Sequence, residues 1–373
     1  DQLAANLRPY DITPLFRSTT NEAQERKNPS LSPPRSNAQN YPHTILLLRG
    51  VIRPEPSNAW INLLLFLLTL ASMIFTGALF AYDGPPLNSR EALINGVLSS
   101  LGPGLAFAAS LLAILLAHEF GHYLAARYHK TAVTLPYFLP FPFSAFGTMG
   151  AFIRLKEPPR NKRILLDIGI AGPLAGLAVA IPALIIGLKL STVSAIPAQL
   201  PPGTGLQIEG NSLLYLLAKF VVFGRLLPAP ESYGGVSALQ YWVTYFFTGH
   251  PLPLGGVDVM LSPVAWAAWA GLLVTALNLI PAGQLDGGHM LYVLIGREKA
   301  RKVLPFVLGA LVLLGLFWQG WWIWAVIIFL LGRSYAEPMD QITPLDDNRK
   351  KLAVLALVVF LLTFIPVPLG IAG

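Results

Sequence analysis

Seven apolar runs follow a polar first eighth of the chain. Residues 60–82, 101–128 and 164–190 are each long enough to cross a bilayer as a helix, which takes about 20 residues. Residues 260–295 exceed one span and are broken near Pro281. Residues 303–318 and 321–331 are short and meet at Gln319-Gly320, as a tight hairpin of two spans or one bent element; 351–371 close the series. The pattern predicts an all-α polytopic membrane protein with about six to seven transmembrane helices. Residues 1–45 are rich in Asn, Ser, Pro and Arg and lack either regular period. They are expected to be a solvated, poorly ordered tail ahead of a membrane domain over 46–373.

One stretch breaks the helical pattern. Residues 131–155 are too polar for a span, and Pro136, Pro140 and Pro142 forbid a regular helix there. Residues 147–153 have strand propensity, with glycines that permit a turn or a close backbone approach. A small membrane-associated β-hairpin or re-entrant piece is expected. Such backbone is tolerated at that depth only beside protein or a water-filled cavity.

Composition narrows the class. The chain of 373 residues is 54% hydrophobic and 12% charged, about half the usual charged share, which excludes an ordinary two-domain soluble enzyme. There is no cysteine, so disulfides, thiolate metal sites, iron–sulfur clusters and cysteine nucleophiles are excluded. The net charge of +7 belongs to loops. Arg and Lys collect before residue 60, between 127 and 163, between 297 and 302, and between 333 and 351, alternating with poor connections. The positive-inside rule then places the N-terminus in the cytoplasm and the C-terminus outside, and favours two spans over 303–331. No phosphate-binding loop, nucleophile elbow or basic aromatic surface is present, so no nucleic-acid partner is expected. The chain opens on Asp1, which reads as a fragment or processed form, and no cleavable signal is seen.

The candidate chemistry interrupts the apolar run of 101–128. His118 and His122 lie four residues apart, hence on one helix face, with Glu119 beside them. This is the spacing with which zinc hydrolases place two imidazoles on one metal and a carboxylate on its water. Ionisable residues inside a span cost several kcal/mol, about 2.5–3.5 each on insertion scales, which makes them functional candidates. Zinc needs a third protein ligand and an open fourth position. Asp286 is the leading candidate, because both runs cross in the same direction and both groups fall in the inner half. His289, three residues on, is its rival. His129 and His250 read as interfacial, and Trp318, Trp321, Trp322 and Trp324 as an interfacial belt.

The pair His118-Glu119-Phe-Gly-His122 and Asn278-x2-Pro281-x4-Asp286-Gly287, each in its own run, resembles the site-2 protease family of intramembrane zinc metalloproteases. Gly172-Pro-Leu-Ala-Gly176 resembles that family's central helix and 147–153 its substrate-binding strand. The resemblance spans about 46–370, with a catalytic core over 101–295, and is closest to the subgroup without a PDZ domain. It implies one Zn2+ per chain on His118, His122 and Asp286, Glu119 as general base, and Asn278 as an oxyanion donor. It also implies a substrate strand added beside Gly147, Thr148, Met149, Gly150, Ala151 and Phe152. The implied reaction is hydrolysis of a peptide bond in or near the span of a single-pass membrane protein, which releases a cytosolic fragment. A bacterial inner membrane is the expected location, with a plastid membrane as the alternative. The competing readings are a transporter using the broken helix with Asn278 and Asp286, and an inactive scaffold of the same fold. The presence of Glu119 and all the candidate ligands speaks against the scaffold.

Overall fold

The computed structural model describes residues 2–18, 43–51, 56–197, 206–249, 255–332 and 334–372. A short helix α1 (Gln2–Leu7) leads into β1 (Ile12–Ser18), which pairs antiparallel with β2 (His43–Arg49). Helix α2 (Ala59–Phe80) starts at Asn58, whose side chain accepts the Trp60 amide. Helix α3 (Arg90–Ser99) precedes the long α4 (Leu101–Tyr128). Strands β3 (Tyr137–Pro140) and β4 (Thr148–Phe152) form an antiparallel hairpin, as the prolines and glycines predict. Helix α5 (Lys162–Lys189) then returns across the core, capped by the Asn161 side chain.

An outer layer follows: β5 (Thr192–Ala195), β6 (Leu206–Glu209), α6 (Leu213–Phe223), α7 (Ala238–Thr248) and β7 (Val257–Met260), with β5 paired to β7. The broken run becomes α8 (Pro263–Asn278) and α9 (Asp286–Ile295), separated by a turn around Pro281. The chain closes with α10 (Arg297–Leu314), α11 (Gly320–Leu331), α12 (Asp347–Thr363) and β8 (Leu369–Ala372), which pairs with β6. Helices α2, α4, α5 and α8 share one core, in which Phe107, Leu111, Leu184, Trp266 and Trp269 are buried.

Several expectations change. Among the described residues, only α2, α4 and α5 are long and apolar enough to cross a membrane singly. The 16 residues of α8 and the 12 of α11 reach about 24 and 18 Å, short of a hydrocarbon layer of about 30 Å. By length and composition the described helices support three of the six or seven spans expected. Residues 303–331 do form two separate helices and not one bent element. The last run stops at Thr363 and turns back as β8, because Pro366 and Pro368 cannot donate to a helix. Trp321 is fully buried and donates to the Pro366 carbonyl, so it belongs to the core and not to a belt. His129 pairs with Asp167 at 2.9 Å, whereas His250 lies outside the described residues.

The predicted tail over 1–45 is the largest departure. Its described parts hold α1, β1 and the start of β2. The reason is tertiary. The Phe16 amide donates to Met339 O at 2.9 Å, and the Phe16 carbonyl accepts from Gln341 N at 3.1 Å. Arg17 adds a bond to Met339 O at 2.9 Å. The same loop bonds to Pro159 O and Arg160 O. The N-terminal ribbon, the 159–161 segment and the 338–341 loop thus meet.

The outer layer buries one ammonium between two carboxylates. Lys219, with no exposed surface, lies 3.0 Å from Glu209 Oε1 and 3.7 Å from Asp258 Oδ1. Tyr215 also donates to Glu209 at 2.9 Å. Desolvation pushes the Asp258 carboxyl up to about 6, against the pull of Lys219. A raised folded value means the acid contributes no penalty below its unfolded value, and costs stability as pH rises through about 6. Asp258→Asn leaves a neutral Lys219–Glu209 pair. It is expected to stabilise the protein at pH 7.5 by up to about 3 kcal/mol and to be near neutral at pH 4. Thermal melts in detergent at the two pH values check this; equal shifts would refute it.

Candidate metal centre

Helix α4 carries His118 and His122 one turn apart, facing α5 and α9. Glycines of α5 make room for them. A Cβ built at Gly172 would strike the His122 ring, and one at Gly176 would lie 3.3 Å from His118 Cβ. On α4, Gly121 lets the helices close, since a Cβ there would sit 2.5 Å from Ala171 O. The Gly-x3-Gly spacing of α5 is thus the socket for both imidazoles.

Asp286 opens α9, delivered by the turn over 279–285. Its two following glycines are required by that turn: a Cβ on Gly287 would overlap Leu279 O, and one on Gly288 would overlap Gly283 O. Asp286 Oδ2 lies 3.3 Å from both His118 Nε2 and His122 Nε2. The two ring nitrogens are 3.2 Å apart. These three edges match the face of a tetrahedron with bonds near 2.0–2.1 Å, whose edge is about 3.3 Å. His122 Nδ1 bonds Ile168 O at 2.7 Å, which assigns its proton to Nδ1 and leaves Nε2 free to ligate. His118, His122 and Asp286 are the group among the described residues whose donor atoms all lie within 4.8 Å of one another. The donor set suits zinc.

A cavity of about 220 Å³ adjoins this group, lined by His118, Glu119, His122, Asn278, Asp286 and His289 among others. Glu119 is 4% exposed. Asn278, the last residue of α8, places Nδ2 3.3 Å from His118 Nε2. Its amide faces the ligand cluster. His289 falls outside the triad, so Asp286 and not His289 is the residue that meets both imidazoles.

The hairpin supplies one wall. Polar side chains along α2 hold it: Asn62 donates to Leu135 O at 3.0 Å and Pro136 O at 2.8 Å, and Ser72 donates to Gly147 O at 2.6 Å. Gly147 adopts φ +72°, and a Cβ there would meet Met73 Cα at 2.7 Å, so the turn needs glycine. Of the predicted strand residues, Ala151 and Phe152 line the cavity. Gly147, Thr148, Met149 and Gly150 do not; Thr148 turns inward to bond Leu139 O at 2.9 Å, while Met149 is exposed. Among the described residues β4 pairs with β3 alone, leaving its other edge open. Ile153, at the end of the predicted strand stretch, also lines the cavity, as do Leu155, Leu165, Ile168 and Gln284, which carried no sequence signal, being ordinary apolar or polar positions until the fold brings them together.

Residues 106–317 match the family model of peptidase family M50. The chain belongs to this family, the site-2 proteases. Among relatives, it is 29% identical to the probable zinc metalloprotease EGY1, chloroplastic, of Arabidopsis thaliana, over 86% of this chain and 56% of that protein. It is 30% identical to the Arabidopsis thaliana EGY2 over 79% and 48%, and 31% identical to EGY2 of Oryza sativa subsp. indica over 73% and 44%. The chain thus spans about half the length of the curated relatives it matches. No solved structure matches it. The relatives of this family that the chain matches are named as probable zinc metalloproteases.

Proposed function

We propose that the chain is an intramembrane endopeptidase that hydrolyses a peptide bond in or near the span of a single-pass membrane protein. The observation that carries this reading is the meeting of His118, His122 and Asp286 at one cavity walled by a strand with an open edge. A lipid-facing protease needs both parts. A peptide bond within a helix is shielded by its own hydrogen bonds, so the substrate must be extended before it can react. The free edge of β4 offers backbone groups to an unwinding segment, and Ala151 and Phe152 offer contacts to its side chains.

When bound, zinc polarises the scissile carbonyl and lowers the pKa of a nearby water. His118, His122 and Asp286 would hold it. Glu119 takes a proton from the attacking water and returns it to the departing amine, a transfer its position beside both imidazoles suits. Asn278 donates to the oxygen on which charge develops. Burial of the cavity among α4, α5 and α9 keeps bulk water from competing for these hydrogen bonds.

The N-terminal ribbon and basic loops mark the cytoplasmic face in this reading, and the released fragment leaves on that side. The chloroplastic names of the relatives favour a plastid membrane over the bacterial inner membrane as the location. The test is cleavage of a doubly tagged single-span protein in liposomes. Expected are cuts in or beside the span, stopped by a zinc chelator and restored by Zn2+ but not Mg2+. Cleavage that persists in chelator, or falls only in soluble parts, would sink the reading.

A further inference from the structure

His289 is a polar residue of the cavity that the mechanism above leaves without work. It sits one turn beyond Asp286 on α9, against α5, where a Cβ at Gly169 would lie 3.6 Å from His289 Cβ. Its ring lines the same cavity as His118, Glu119, His122, Asn278 and Asp286. It is not part of the ligand triad. Its Nδ1 is fully buried and has no hydrogen-bond partner.

That orphan nitrogen decides the tautomer. A neutral imidazole carries one N–H and one bare nitrogen. A buried N–H without a partner is rarer in proteins than an under-satisfied acceptor. Nδ1 is therefore the bare nitrogen, and the proton sits on Nε2. His122 has the opposite assignment, because Ile168 O accepts from its Nδ1. One imidazole is thus set to ligate and the other to donate. An apolar ring would fill the place of His289 with no orphaned nitrogen and no desolvation cost for it. The cost is offset if the substrate supplies an acceptor, and the acceptor of a peptide is its carbonyl oxygen.

We propose that His289 Nε2–H is a second hydrogen-bond donor to the carbonyl oxygen of the scissile peptide, opposite Asn278. The two donors come from different helices, α9 and α8, so the turn over 279–285 sets the spacing between them. This rests on the proteolytic reading above.

The test uses the full chain loaded with zinc and a leucine-based phosphonamidate peptide, whose anionic oxygens stand in for the tetrahedral oxyanion. His289→Phe keeps the ring and removes the donor; His289→Gln restores an amide N–H near the place of Nε2. Expected are one zinc per chain in all three proteins, phosphonamidate binding weakened about 10²-fold in His289→Phe, and most of it recovered in His289→Gln. With a cleavable substrate, kcat and kcat/KM should fall together in His289→Phe. Equal phosphonamidate affinity in wild type and His289→Phe would overturn the proposal. So would loss of zinc in His289→Phe, which would make His289 a support of the metal instead of a substrate contact. Failure of zinc-loaded wild type to bind the phosphonamidate would instead overturn the proteolytic reading, before any His289 variant is compared.

Discussion

Glu119→Gln will keep one zinc per chain and lose peptide hydrolysis by about 10³-fold or more. The expectation follows from where the carboxylate sits. Glu119 lies between His118 and His122 in sequence, is 4% exposed and lines the cavity. It is not among the atoms that converge within 4.8 Å of one another. Glutamine matches it in volume and can still accept through its carbonyl, so packing and metal binding should survive. What it cannot do is take a proton from water and hand it on, and general base catalysis of this kind is worth about 10²–10⁴-fold. The measurement pairs metal content of detergent-purified protein with cleavage of the single-span substrate. Proteolysis at the wild-type rate would remove Glu119 from the mechanism. A transporter, by contrast, would keep its flux in Glu119→Gln.

Asp286→Ala is expected to empty the site. Asp286 Oδ2 is 3.3 Å from each of the two ligating nitrogens and is the one carboxylate that closes the triad. Its removal takes away a third of the donor set and the negative charge that offsets a dication in a buried place. Two imidazoles do not make a closed site for zinc. Zinc affinity should fall by well over about 100-fold, since loss of groups that merely orient ligands already costs about 10–100-fold. Proteolysis should fall with it. Metal titration against a competing chelator reads the change directly. Unaltered zinc binding would move the third ligand elsewhere, with His289 as the next residue to replace.

Much of this was legible in the chain itself, and the reasons differ from element to element. Helix α4 was readable to its ends because 28 consecutive residues suit a span. The β3–β4 hairpin was readable because Pro136, Pro140 and Pro142 exclude a helix and Gly147 fits a turn at φ +72°. The N-terminal strands were not readable. β1 is held by Met339 and Gln341, more than 300 residues away, and nothing in its own composition encodes that partner. Apolar runs are alike in sequence whether they face lipid or a protein core. Trp321 is an example, being buried where a belt was expected.

The substrate wall shows the same division. A strand over 147–153 was foreseeable from its residue types, but not which of its side chains would turn to the cavity. Only Ala151, Phe152 and Ile153 do so, because Thr148 bonds back to Leu139 and Gly150 within its own hairpin. Alternation along a strand names two faces and leaves open which one the fold presents.

Sequence alone determined the chemistry of the centre: two imidazoles four residues apart on one helix share a face whatever surrounds them, and a carboxylate beside them accompanies them. The meeting of that pair with Asp286, 164 residues on, was decided by packing. It depends on the glycines of α5 that admit the imidazoles and on the two after Asp286 that allow α9 to close against its own turn. Helical spacing is a local property of the backbone, whereas the distance between two helices is set by every side chain placed between them.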